Sequence, residues 1–199
     1  MKYLILAGAL LLSAAACHMK DPSASSPTGK EGADTVKKTF FPVADYLNGE
    51  IGYVDSTPLA ITKYNTEEKK TDSSFISPHV FHELAQEFLP PELDSTVFNK
   101  EYKETSFMDE TTKLLSFTYS TGNKSLALQR VDVLASQSDN GTDKIRSIYL
   151  EKREVKNDTL VIKKMYWQSK KQFQVVTMTS AHGQETRVRQ LKVVWDPGE

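Results

Sequence analysis

His79 and His82 lie three residues apart, with Glu83 beside the second. Two imidazoles at that spacing share one face of a helix, and a third ligand such as Glu87 or His182 would complete a metal site. The arrangement is not H-E-x-x-H, which needs histidines four apart with a glutamate after the first. The plainer account is a pair of polar residues on the water side of an amphipathic helix, so no metal is expected. Serines, histidines and acids are numerous enough to draw a hydrolase triad on paper, but no G-x-S-x-G elbow occurs. The nine glycines are scattered and make no phosphate-binding loop. Glu67-Glu68 and Asp109-Glu110 are carboxylate pairs in polar stretches, where solvation accounts for them. No cofactor is expected, and catalysis has no motif behind it.

The single cysteine, Cys17, excludes an internal disulfide. Its position carries more information than its number. Met1-Lys2 gives a short positive start, and residues 3–16 are an uncharged run of 14. A helix crossing the hydrocarbon core needs about 20 residues, so this run suits the apolar region of a cleavable export signal. Ala14 and Ala16 form the A-x-A pattern of an ordinary signal-peptidase site. Ala14-Ala15-Ala16-Cys17 also resembles the lipobox of bacterial lipoproteins, with Ala14 where that family usually has Leu. The resemblance implies removal of residues 1–16 and a diacylglyceryl group on Cys17. A lone thiol at the cleavage point of an exported chain fits acylation better than chance. Lys20-Asp21 is similar to the lysine-and-acid signal that follows the cysteine in Bacteroidetes lipoproteins displayed on the cell surface. The implied place is the bacterial cell envelope, on the outer membrane. The implied partner is the membrane itself, held through the N-terminal lipid.

Residues 17–38 are rich in Pro, Ser, Gly, Lys and Asp and almost free of apolar side chains. Such a segment buries too little surface to offset its ordering entropy, so it is expected to be a tether with a reach on the order of 25 Å. Residues 39–199 then make one α+β domain. Residues 39–55 place Val43, Tyr46, Leu47, Ile51 and Val54 near one helical face, interrupted by Gly49 and Gly52. A short strand at 59–64 and a charged loop at 65–72 are expected next. Ser77 and Pro78 then start a second helix with Val80, Phe81, Leu84, Ala85 and Phe88 as its apolar stripe, which Pro90-Pro91 stops.

Beyond Asn99 strand patterns dominate, at 102–107, 114–121, 125–135, 144–156, 160–168, 172–179 and 186–195. Asn140-Gly141 and Asn157-Asp158 mark tight reversals between them. Short connections make neighbours antiparallel. The expected architecture is therefore N-terminal helices packed on a curved antiparallel meander of six to seven strands, with a half-barrel as the natural variant.

Charge is divided along the chain. Residues 31–110 carry 16 acids and 7 lysines, a net of −9, while residues 144–192 carry 12 Lys and Arg against 4 acids, a net of +8. Nucleic acid is a poor partner for an anchored envelope protein whose whole-chain charge is only −1. The late strands also hold a cluster of aromatic residues, Tyr149, Tyr166, Trp167, Phe173 and Trp195. Tyr166, Trp167, Arg187, Arg189 and Lys192 are the candidate binding surface, with Tyr166 and Trp167 on opposite faces of a strand. Such a surface would suit an envelope protein, a glycan or a lipid ligand. Three functions follow in order: a non-catalytic binding or assembly module; a carrier that holds an apolar ligand between sheet and helices, similar in outline to the half-barrel lipoprotein carriers of bacterial envelopes; and an envelope hydrolase. An unfilled apolar cavity would mark the carrier. An exposed aromatic patch with a basic rim over a solid core would mark the assembly module.

Overall fold

Residues 40–137 and 144–196 are described by the structure, a computed structural model. The expected leader, Cys17, the tether at 17–38 and the Asn140-Gly141 reversal lie outside the described residues.

Helix α1, Val43–Ser56, buries Val43, Leu47, Ile51 and Val54, the stripe its spacing predicts. Tyr46, expected on the same stripe, stands half-buried at its margin. Gly49 and Gly52 fall on the open side, with no atom within 4 Å of where a Cβ would stand. Helix α2, Pro78–Ala85, begins as expected. Ser77 Oγ accepts the Val80 N–H at 3.4 Å, and Pro78 occupies the first turn, where no amide proton is needed. Phe81 and Ala85 are its buried side. Two 3₁₀ turns, Gln86–Phe88 and Pro91–Leu93, then carry Phe88 and Leu93 into the core. A third helix, α3 (Ser95–Glu101), was not expected from the sequence. Asp94 Oδ1 caps it by accepting from Thr96 and Val97 N–H at 3.0 and 3.4 Å, and Phe98 is its buried anchor.

Nine strands form one sheet among the described residues, rather than the expected six to seven. In chain order they are β1 (Ile61–Glu67), β2 (Lys70–Ile76), β3 (Lys103–Asp109), β4 (Leu114–Ser120) and β5 (Leu128–Ser136), followed by β6 (Lys144–Lys156), β7 (Thr159–Gln168), β8 (Gln172–Ala181) and β9 (Arg187–Val194). Their order across the sheet is β2-β1-β9-β8-β7-β6-β5-β4-β3, and every pair is antiparallel. The meander is thus β3 to β9. Outside the meander, β1 is the short strand expected at 59–64 and β2 was not expected; together they form a hairpin that joins the meander along β9 from Thr62↔Val194 to Glu67↔Arg189.

The expected charged loop at 65–72 is in fact the turn of this hairpin. Glu68 and Lys69 both adopt positive φ, 46° and 68°, the backbone of a two-residue reversal usually supplied by Asn-Gly. β2 has no buried residue, and only Ile76 is partly covered. An edge strand of that kind leaves no alternation to read.

Residues paired across antiparallel strands share a face, so the register divides the sheet cleanly. Val193, Phe173, Trp167, Ile148, Val133 and Phe117 run across it in one row, and Leu191, Val175, Met165, Leu150, Val131 and Tyr119 in the next. The three helices pack against these rows. Phe81 meets Trp195 at 5.2 Å, Phe88 meets Trp167 at 5.1 Å, and Trp167 stacks on Phe173 at 5.4 Å and 21°. These rings are all buried. Further along the strands the same face turns polar, through Glu67, Arg189, Thr177, Lys163 and Lys152.

Candidate functional site

Strand parity separates the five residues expected to form one surface. Trp167 is fully buried in the aromatic core, so it is not a surface residue. Its neighbour Tyr166 points the other way and is 38% exposed. Arg187 and Arg189 share the helix-side face with Val193, while Lys192 is on the opposite face with Tyr166, linked through Gln174. Arg189 lines an open pocket of about 730 Å³ that also holds Glu67, Lys70, Asp72 and Glu87. Charges of both signs mix there, and Glu87 is paired with Lys163.

The helix histidines are engaged locally. His82 Nδ1 lies 2.7 Å from Asp55 Oδ2, and its Nε2 lies 2.9 Å from Gln86 Nε2. The first contact ties α2 to α1. His79 approaches Glu83, at 3.4 Å. No group of three His, Cys, Asp or Glu residues that could hold a metal occurs among the described residues.

The outward face of the sheet holds what the sequence reading missed. Val155 pairs with Leu160, and Ile162 pairs with Met178, which pairs with Val188. These five are neighbours on the water side of β6 to β9. Val155 is 69% and Val188 49% exposed. Arg153, paired with Ile162, and Lys164, paired with Val176, border them on the same face. A cluster of aliphatics turned to water and bordered by cations is the surface pattern of a docking site. Its signal was present in Leu160-Val161-Ile162. Three consecutive apolar residues in a strand make both faces apolar, and only one of those faces can meet the helices.

At the other end of β6 and β7 the core closes on a polar clamp. Glu50, on α1, is 7% exposed. Its Oε2 accepts the Trp167 indole N–H at 3.2 Å and the Lys170 backbone N–H at 2.7 Å, and its Oε1 accepts from Tyr46 Oη at 3.2 Å. The Tyr46 hydroxyl also lies 2.6 Å from Ser169 Oγ. Burial, followed by the charge of Glu50 and its hydrogen bond, pushes the Tyr46 hydroxyl up to about 12, although the Ser169 contact opposes this. The clamp ties the helix layer to the β7–β8 turn and holds Lys170 in its positive-φ conformation, 58°. It forms the inner wall of a groove of about 940 Å³. Phe41, Phe117, Leu134 and Ile145 give the groove an apolar floor, and Lys144, Arg146, Lys170 and Lys171 stand around it.

The fold and its surfaces define an α+β domain with a filled core, an outward aliphatic patch at one end of the long strands and a basic groove at the other. No family model, curated protein or solved structure matches the chain.

Proposed function

We propose that the protein is a non-catalytic binding or assembly module of the bacterial cell envelope, anchored to the outer membrane by a lipid on Cys17. The observation that carries the binding half is the aliphatic patch of Val155, Leu160, Ile162, Met178 and Val188 over a core whose centre is packed with aromatic rings. Trp167, Phe81, Phe88, Phe173 and Trp195 fill the space that a carrier of apolar molecules would keep open. The architecture is read as a half-barrel: nine strands with the usual twist curl, and the helices lie on the inner side. The uncovered part of that inner side is charged, with Lys152, Lys163, Arg187 and Arg189, and offers little to an acyl chain. The partner expected at the patch is an envelope protein presenting its own apolar surface.

The anchor is tested by palmitate labelling of the chain in its host, which Cys17→Ser abolishes if the lipobox reading is right. The binding surface is tested by a photo-crosslinking residue placed at Met178. A discrete crosslinked product that disappears in Val155→Glu and Val188→Glu, with circular dichroism unchanged, supports the patch. A product that survives both substitutions refutes it.

A further inference from the structure

We infer that the groove between α1 and the β7–β8 turn is a seat for anionic phospholipid headgroups, by which the domain docks on the bilayer. Lys144, Arg146, Lys170 and Lys171 all line it, and all four side chains are exposed. Glu50 is the one carboxylate among the described residues that line it. Its oxygens are held by Trp167, the Lys170 amide and Tyr46, and its single negative charge leaves the four cations in excess. An anionic headgroup meets these four cations, and its glycerol carbons meet Phe41, Leu134 and Ile145 on the floor.

Two observations make a bilayer the occupant. The first is charge complementarity, since anionic lipid surfaces attract clustered Lys and Arg side chains. The second is where the chain leaves the described domain. Phe41 lines the groove and lies one residue from the first described position, so the N-terminal segment departs from this end. That segment, about 20 residues from Cys17, would bring this end of the domain closest to the membrane, a step that rests on the anchoring proposed above. The opposite end of β6 is on the order of 40 Å away, from 13 residues at the usual rise per residue. Docking through the groove therefore points the aliphatic patch away from the lipid.

The test uses the mature chain, residues 17–199 with Cys17→Ser, so that neither leader nor acyl group contributes, and co-sedimentation with two kinds of vesicle. One is phosphatidylcholine alone, and the other is equimolar phosphatidylcholine and phosphatidylglycerol. Binding is expected to the anionic vesicles only and to weaken with added salt. Each cation at an anionic surface is worth about fivefold in affinity, so Lys144→Gln with Lys171→Gln should weaken binding roughly 25-fold. Lys152→Gln with Lys156→Gln removes the same charge from the far end of β6 and should leave binding unchanged. Equal binding to both vesicles, no binding to either, or equal loss in the two double variants would overturn the inference. Absence of palmitate labelling of the unsubstituted chain in its host, with vesicle binding intact, would instead count against the anchor alone.

Discussion

Glu50→Ala tests whether the buried carboxylate is what joins the helix layer to the sheet. The substitution strands the Trp167 indole N–H, which is fully buried, and the Lys170 N–H, which is only partly buried. A buried unsatisfied donor costs about 1–3 kcal/mol. Taking about 2 for the indole and about 1 for the amide, which water can reach, gives about 3 kcal/mol. Glu50→Gln separates chemistry from shape. Both donors bond to Oε2, so the glutamine oxygen at that position still accepts from both. The amide nitrogen at the other position can donate to the Tyr46 hydroxyl, which keeps Ser169 as its own partner. Only the charge-assisted part is lost, about 1 kcal/mol. For a domain of this size the alanine variant should melt roughly 6–12 °C lower and the glutamine variant roughly 2–4 °C lower. Urea unfolding followed by tryptophan fluorescence reads this directly, because both tryptophans are buried and Trp167 touches the clamp. Equal losses in the two variants, or less than about 1 kcal/mol for alanine, would refute the argument.

Two further predictions concern the same core. Trp195 Nε1 is buried with no hydrogen-bond partner among the described residues, whereas Trp167 Nε1 is held by Glu50. Trp195→Phe should therefore cost about 1–2 kcal/mol less than Trp167→Phe in urea titrations, and the reverse order would show the clamp to be unimportant. Burial pushes the hydroxyls of Tyr119 and Tyr149 up to about 12, as it does Tyr46, and Tyr102 higher still. An unfolded tyrosine ionises near pH 10, so above about pH 10 the unfolded chain loses protons that the folded chain keeps. Stability should be flat between about pH 7 and 9 and fall progressively above 10. Full phenolate absorbance at about pH 10 with the fold intact would contradict this.

Much of the architecture is readable where side chains and turns point the same way. Ser77-Pro78 ahead of Phe81 and Ala85 marks the start of α2, and the alternating β6 runs into Asn157-Asp158, whose φ values of 48° and 58° make the expected reversal. Where one of those signals is missing, the element is missed. The β1–β2 turn is made by Glu68-Lys69, and β2 buries nothing, so neither turn chemistry nor alternation reveals it. α3 has seven residues, too few for a helical period to show. The surface was misread for another reason. Arg187 and Arg189 are odd-numbered positions of β9 and Lys192 is even-numbered, so parity alone assigns them to opposite faces. Glu50 could also have been found. It stands three residues after Leu47 and seven after Val43, an acid inside an apolar stripe, which signals either a solvent-facing break or a buried acceptor. The pattern leaves those two alternatives open, because the donors Trp167 and Lys170 are more than 100 positions away.

The pairing of β1 with β9 also governs when this molecule can become a molecule. Among the described residues, the β1–β2 hairpin finds its only other sheet neighbour in a strand about 130 positions later, at Thr62↔Val194. A chain still emerging from a ribosome or a membrane pore carries an orphan hairpin until the final segment arrives, and a two-stranded hairpin is marginal in water by itself. The floor under Phe81 closes only when Val193 and Trp195 are in place. Loop closure over so long a span is slow. The chain thus stays pliable through its own manufacture and hardens in one late act, and a copy missing its last strand would be left unfinished at both ends of its sequence.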